Sequence, residues 1–134
     1  MIDVVAALIE NNGQFLVCQR PVHKSRGGMW EFPGGKIEPG ETPQEAVVRE
    51  CFEELDIQVE AGHAIHQVIH EYPDITIRLT SYHARLMARE PKPLEHQNLR
   101  WLLIEDMDID QFCPADQAFL IALKNQINVP EDNT

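Results

Sequence analysis

Apolar and polar positions along the chain group into runs that predict most of its elements. Val4 to Ile9 and Phe15 to Arg20 read as strands, and Asn12-Gly13 between them is the dipeptide a two-residue hairpin prefers. Residues 21–29 (PVHKSRGGM) are polar and contain glycine, which predicts a loop. Trp30 to Pro33 reads as a short extended piece entering a turn at Gly34-Gly35. Thr42-Pro43-Gln44-Glu45 then has the form of a helix start: Thr42 can cap, Pro43 fits the first helical position, and Glu45 completes a capping box. That helix should run to about Leu55, with Val48, Cys51, Phe52 and Leu55 as one apolar stripe. Ile57 to Glu60 reads as a short strand. Residues 64–71 and 75–86 read as two strands turning at Tyr72-Pro73-Asp74, and Ile75, Ile77 and Leu79 alternate with polar residues as in a half-buried strand. A polar loop follows at residues 88–98, then a strand from Leu99 to Ile104. A second helix is predicted from Ala115 to Ile127, with Phe119, Ala122, Leu123 and Ile127 as core positions, and a frayed polar tail from Pro130. No repeat, linker or low-complexity tract interrupts the 134 residues, so the expectation is one α/β domain, a sandwich of mixed sheet and flanking helices.

Charge adds a site to this outline. Glu50, Glu53 and Glu54 stand at i, i+3 and i+4, on the face opposite the apolar stripe. On an exposed helix such like-charge pairs cost roughly 0.2–0.5 kcal/mol each. They also crowd the C-terminal half, where the macrodipole disfavours anions. A sequence that accepts both penalties points to a bound cation, and hard anionic oxygen ligands favour Mg²⁺ or Mn²⁺. Gly35, Glu41, Arg49, Glu50, Glu53 and Glu54 fit G-x5-E-x7-R-E-U-x-E-E-x-G-U, where U is apolar. This resembles the Nudix box of nucleoside diphosphate-linked hydrolases. One position departs: Asp56 stands where the pattern has the glycine that follows the helix as a left-handed cap. Asp tolerates that backbone region better than most residues, at some cost, and the change removes no ligand.

Composition narrows the partners. A net charge of −11 argues against sequence-independent binding to DNA or RNA, which needs a basic surface. It leaves room for a polyphosphate substrate bridged by metal. Cys18, Cys51 and Cys113 are odd in number and widely spaced, which suits buried reduced thiols. The opening residues have no basic segment and only a short apolar run, so neither a signal peptide nor a membrane span is expected, and a cytoplasmic setting follows. His63, His66 and His70 have near-helical spacing but fall in a predicted strand, which argues against a zinc site.

The likeness covers nearly the whole chain and is closest to the MutT-like branch, through Gln19-Arg20-Pro21, the run from Met29 to Lys36, and Pro114-Ala115-Asp116. It implies the Nudix fold, an α/β/α sandwich with mixed sheet. It implies hydrolysis of a nucleoside triphosphate to monophosphate and pyrophosphate, by attack at the β-phosphorus. Residue by residue, it assigns Glu50, Glu53 and Glu54 to the divalent metal, with the Gly34 carbonyl and Glu95 as further ligands. Glu50 is the first candidate for general base, then Glu53 and Glu95. Arg49 would orient a ligand carboxylate, with Glu45 as a possible partner; Glu41 would brace the loop, and Lys36 would meet phosphate. Arg20, Glu31, Phe32, Ile75 and Asp116 would form the base pocket.

Asp116 leaves the base open. Ionised, it only accepts hydrogen bonds and suits the exocyclic amine of cytosine; protonated, it regains a donor and suits 8-oxoguanine. The resemblance therefore implies an 8-oxo-dGTP diphosphatase, with CTP or dCTP as the alternative substrate. Another Nudix substrate such as ADP-ribose, or a non-catalytic nucleotide-binding module, are the competing classes.

Overall fold

The computed structural model describes residues 1–128, with side chains through residue 126. Strands β1 (Ile2–Asn11) and β2 (Gln14–Gln19) form the expected hairpin. Asn12 and Gly13 at its tip both have positive φ, 53° and 80°, the backbone that a tight two-residue turn requires. Next come β3 (Trp30–Glu31), β4 (Gly34–Lys36), helix α1 (Pro43–Leu55), β5 (Gln58–Glu71), β6 (Thr76–Ala88), β7 (Asn98–Leu102), two short 3₁₀ turns and helix α2 (Pro114–Asn128). The sheet runs β3-β2-β1-β6-β5, with β4 paired to β1 and β7 paired to β2. The β1–β6 pair is parallel and the other pairs are antiparallel, so the sheet is mixed, as expected.

Each helix covers one face. On β1, Val5, Ala7 and Ile9 join the cluster that holds Ala46, Val47, Cys51 and Leu55 of α1. Ala6 and Leu8 join the other, with Phe119, Leu120 and Leu123 of α2. A central strand buried on both faces reads as a continuous apolar run, which is what Val4 to Ile9 shows. Phe119 and Leu123 are core residues as expected and Ala122 is partly buried, whereas the Ile127 side chain and the tail from Pro130 lie outside the described residues. Cys18, Cys51 and Cys113 are free and buried.

Three boundaries differ from the sequence reading. The Gly34-Gly35 turn is a strand, because Gly34 lies so close to the Val5 carbonyl of β1 that no side chain fits between them. The pieces expected at 57–60 and 64–71 are one strand, whose pairing with β6 shifts register between Ala61 and His66. The strand expected to reach Ile104 stops at Leu102, and Ile104 begins a 3₁₀ turn.

Candidate active site

Helix α1 begins as its sequence dictates. The Thr42 hydroxyl accepts from the Glu45 N–H at 3.1 Å, and the Glu45 carboxylate accepts from the Thr42 N–H at 2.9 Å. Its facing is not the predicted one. Val48 and Phe52 are 39% and 51% exposed, while Ala46, Val47, Cys51, Glu54 and Leu55 are buried. The helix is turned so that small side chains meet the sheet and Glu50 and Glu54 point into the seam with β4. The three carboxylates therefore do not share a solvated outer face: Glu54 is 8% exposed and Glu50 partly buried, and only Glu53 looks outward. Glycines make the room. A Cβ on Gly35 would stand 2.5 Å from the Glu50 carboxyl carbon, and the Gly34 N–H donates to Glu54 Oε2 at 3.3 Å.

Arg49 gathers the acids around this seam. Its Nε and Nη2 donate to the two Glu41 oxygens at 2.6 and 2.9 Å, and Nη1 to Glu50 and Glu53 at 2.9 and 3.2 Å. Nη2 also donates to the Lys36 carbonyl at 2.9 Å, which ties the helix to the end of β4. The pair with Glu45 does not form, because that carboxylate is engaged by the capping box. Held by Arg49 and by the Glu38 N–H, the Glu41 carboxyl is pulled down to about 2 and braces the loop as expected. Burial pushes Glu50 up, with Arg49 opposing. Glu54 is pushed well above the usual range by burial, then by the charges of Glu50, Glu31 and Glu95.

Residues 89–97 dock onto the end of α1. The Lys92 and Leu94 N–H groups donate to the Leu55 and Glu54 carbonyls at 2.9 and 3.1 Å, satisfying acceptors a helix end leaves free. Asp56 adopts the left-handed cap at φ 56° and pairs with Arg89 at 2.7 Å. This docking brings the exposed Glu95 beside Glu54 and buries His96 against Glu31.

The seam opens into a cleft of about 440 Å³ lined by Gly34, Gly35, Lys36, Glu50 and Glu54 together with Arg20, Glu31, Phe32, Ile75 and Asp116. Arg49, Glu53 and Glu95 are not on its wall. Phe32 is both core and wall, packed against Phe112 and Phe119 at centroid distances of 5.7 and 5.2 Å. Arg20 Nη1 donates to the Glu31 oxygens at 3.3 and 3.4 Å. Asp116 lies in the first turn of α2, and its Oδ1 accepts from the Phe32 N–H at 3.3 Å. Burial, then the charge of Glu31, pushes its carboxyl well above the usual range. Four further residues were not anticipated. Arg26 stacks over the Tyr72 ring at 4.1 Å and pairs with Asp74 at 3.1 Å; Tyr72 accepts from the Ala115 N–H at 2.9 Å; Cys113 lines the cleft; and His96 backs Glu31. Distant loops bring them together, and no local spacing marks them.

Two groups could hold a cation. Among the described residues, the donor atoms of Glu31, Cys113 and Asp116 lie within 4.8 Å of one another, closer than those of Glu50, Glu53 and Glu54. The first trio is the poorer ligand set, since burial pushes the Cys113 thiol up to about 12 and the Asp116 carboxyl well above its usual range, so both hold their protons more tightly than exposed groups do. The seam fits a hard divalent cation better: Glu50 and Glu54 are ionisable oxygens buried together against backbone, with excess negative charge around Glu54. His63, His66 and His70 pack separately, against His83, Phe119 and Tyr72, and share no site. No described helix is long and apolar enough to cross a membrane.

Residues 4–122 match the model of the NUDIX domain family. The chain is 38% identical to the CTP pyrophosphohydrolase of Escherichia coli K12, over 91% of this chain and 90% of that one. It is 32% identical to the 8-oxo-dGTP diphosphatase of the same organism, over 92% and 96%. The MutT protein of Methanosarcina mazei superposes with a TM-score of 0.84 at 27% identity, covering 96% of each chain.

Proposed function

The chain belongs to the NUDIX domain family, and from that premise we propose that it is a nucleotide-pool hydrolase that cleaves 8-oxo-dGTP to the monophosphate and pyrophosphate. The observation that carries this reading is the single cleft that joins the Glu50–Glu54 seam to the polar pocket of Arg20, Glu31 and Asp116. A triphosphate chain spans such a cleft with its base at one end and its phosphates at the other.

Relatives in this family generally use a divalent metal, and here Mg²⁺ or Mn²⁺ would be held by Glu50 and Glu54 of the seam with the Gly34 carbonyl, while Glu53 and Glu95, which lie off the cleft wall, would join by turning inward. When bound, it neutralises phosphate oxygens and makes water a better nucleophile. Glu50 takes the proton of the attacking water. Its side chain is partly buried against Gly35 and is held by Arg49 Nη1 at 2.9 Å. The water oxygen bonds to the β-phosphorus, the bond from that phosphorus to the bridging oxygen breaks, and the monophosphate leaves with that oxygen. Arg49 is a positioning residue that fixes Glu50 and Glu53 from one guanidinium. Lys36, exposed at the mouth of the seam, meets the departing phosphates.

Asp116 supports the oxidised purine. A protonated carboxyl donates and accepts, as the O6 and N7–H of 8-oxoguanine require. The second reading, CTP or dCTP, is favoured by the 38% identity to the CTP enzyme and by Asp116 if it ionises on binding. The whole described chain acts as one domain, in a cytoplasmic setting that suits its three free cysteines.

The test is kcat/KM for 8-oxo-dGTP, dGTP, CTP and dCTP in Mg²⁺, read as pyrophosphate released. Preference for 8-oxo-dGTP is expected. Preference for CTP or dCTP replaces the substrate assignment, and activity on none, with or without Mn²⁺, defeats the reaction.

A further inference from the structure

His96 lies off the wall of the main cleft, in a small pocket it shares with Arg20, Glu31, Glu54 and Glu95, and it makes the shortest side-chain hydrogen bond to Glu31. Its side chain is 5% exposed, and its Nε2 lies 3.0 Å from Glu31 Oε2. A 3.0 Å contact with a carboxylate oxygen suits the tautomer in which Nε2 bears the hydrogen and donates. Arg20, the other partner of Glu31, reaches it only at 3.3 and 3.4 Å, longer than a strong charge-assisted bond. The other ring nitrogen, Nδ1, is buried without a hydrogen-bond partner. A polar atom left in that state costs stability, so an apolar side chain would serve packing better. The chain on either side is pinned: Leu94 N–H donates to the Glu54 carbonyl at 3.1 Å, and Gln97 N–H to the Gln19 carbonyl at 3.0 Å. The imidazole is thus held rigidly behind one oxygen of Glu31, the residue whose charge also bears on Asp116.

We propose that His96 is a positioning residue for base selection, fixing the Glu31 carboxylate against Arg20 so that Glu31 and Asp116 present one defined polar edge to the nucleobase. The inference rests on the nucleotide-hydrolase reading above. His96 acts through Glu31, because it does not line the cleft itself.

The experiment compares the full-length wild type with His96→Leu, His96→Asn and His96→Gln, measuring kcat and KM separately for 8-oxo-dGTP, dGTP, CTP and dCTP in Mg²⁺. Leucine removes the donor, asparagine is too short to reach Glu31, and glutamine restores an N–H at nearly the same place. His96→Leu should raise KM for the preferred nucleotide about tenfold, leave kcat within about twofold and narrow the preference over the other bases. His96→Asn should repeat that pattern and serves if the leucine variant does not fold. His96→Gln should stay within about threefold of wild type. An unchanged KM and preference in both variants that lose the bond to Glu31, His96→Leu and His96→Asn, overturns the proposal. So does a uniform fall in kcat on all four nucleotides, which would make His96 a prop for Glu54 and Glu95. A wild type inactive on every nucleotide overturns the hydrolase reading together with this one, whereas an active wild type with indifferent variants overturns this one alone.

Discussion

Asp116 sits in the first turn of α2, where the helix dipole favours an anion, and it accepts the Phe32 N–H. Its carboxyl is nevertheless pushed well above 3.8, because burial, and then the charge of Glu31, outweighs both. The stability consequence has a definite sign. An acid whose pKa is raised by folding favours the fold fully below its unfolded value, here 3.8, and that advantage is lost as pH climbs toward the folded value. Asparagine does not titrate. The stability of Asp116→Asn relative to wild type should therefore grow with pH from about 4 upward, by at most about 1.4 kcal/mol per unit within the window. Urea unfolding of both proteins at several pH values reads this directly. A difference that stays flat would mean Asp116 is ionised in the fold, and the cytosine reading would gain. The identity of this residue was legible in the sequence; the upward shift of its carboxyl was not, because that depends first on burial in the folded chain and then on Glu31 arriving from a strand far away.

Helix α1 shows where legibility ends at the level of elements. Its start and finish are local chemistry, so the capping box at Thr42 and the left-handed cap at Asp56 were readable in advance. Its rotation was not. The predicted stripe and the buried face share Cys51 and Leu55, and only the sheet, with glycines at 34 and 35, decides whether Val48 or Ala46 and Val47 complete it. The same tertiary choice brings Glu54 inward, so the metal-ligand candidates were legible as residues while their surroundings were not. Asp56 carries a testable cost. It holds φ at 56° and pairs with Arg89 at 2.7 Å and Lys92 at 3.5 Å. Asp56→Ala keeps the left-handed backbone and loses both pairs, and should lower stability by about 1–2 kcal/mol. Asp56→Gly loses the pairs but relieves the backbone, and should stay within about 0.5 kcal/mol of wild type. Denaturant melts at neutral pH distinguish the two; an alanine variant as stable as wild type would show that the pairs add nothing, and a glycine variant no more stable than alanine would show that the cap carries no strain.

Across the whole molecule, a net charge of −11 and a buried acid seam pull in the same direction. Glu50 and Glu54 both have pKa values raised from 4.5, so ionising them as pH rises works against the fold. A divalent cation in the seam reverses that term, because it binds the folded chain and competes with the same protons. Its effect should be smaller at pH 5 than at pH 8, because protons compete for the seam more strongly as pH falls. At a hundred times its Kd, such a ligand stabilises by about 2.7 kcal/mol, which for a domain of this size raises Tm by about 5–10 °C. Sodium chloride at matched ionic strength screens the surface but does not occupy the seam, since screening is weak for buried charges. Thermal melts in MgCl₂ and in NaCl at both pH values separate the two effects. The magnesium-specific rise should appear at pH 8 and disappear in Glu54→Gln, which keeps the shape of the side chain and removes its charge. Equal shifts in the two salts, or a rise that survives Glu54→Gln, would place the cation elsewhere and leave the seam as a strained but metal-free feature of the fold.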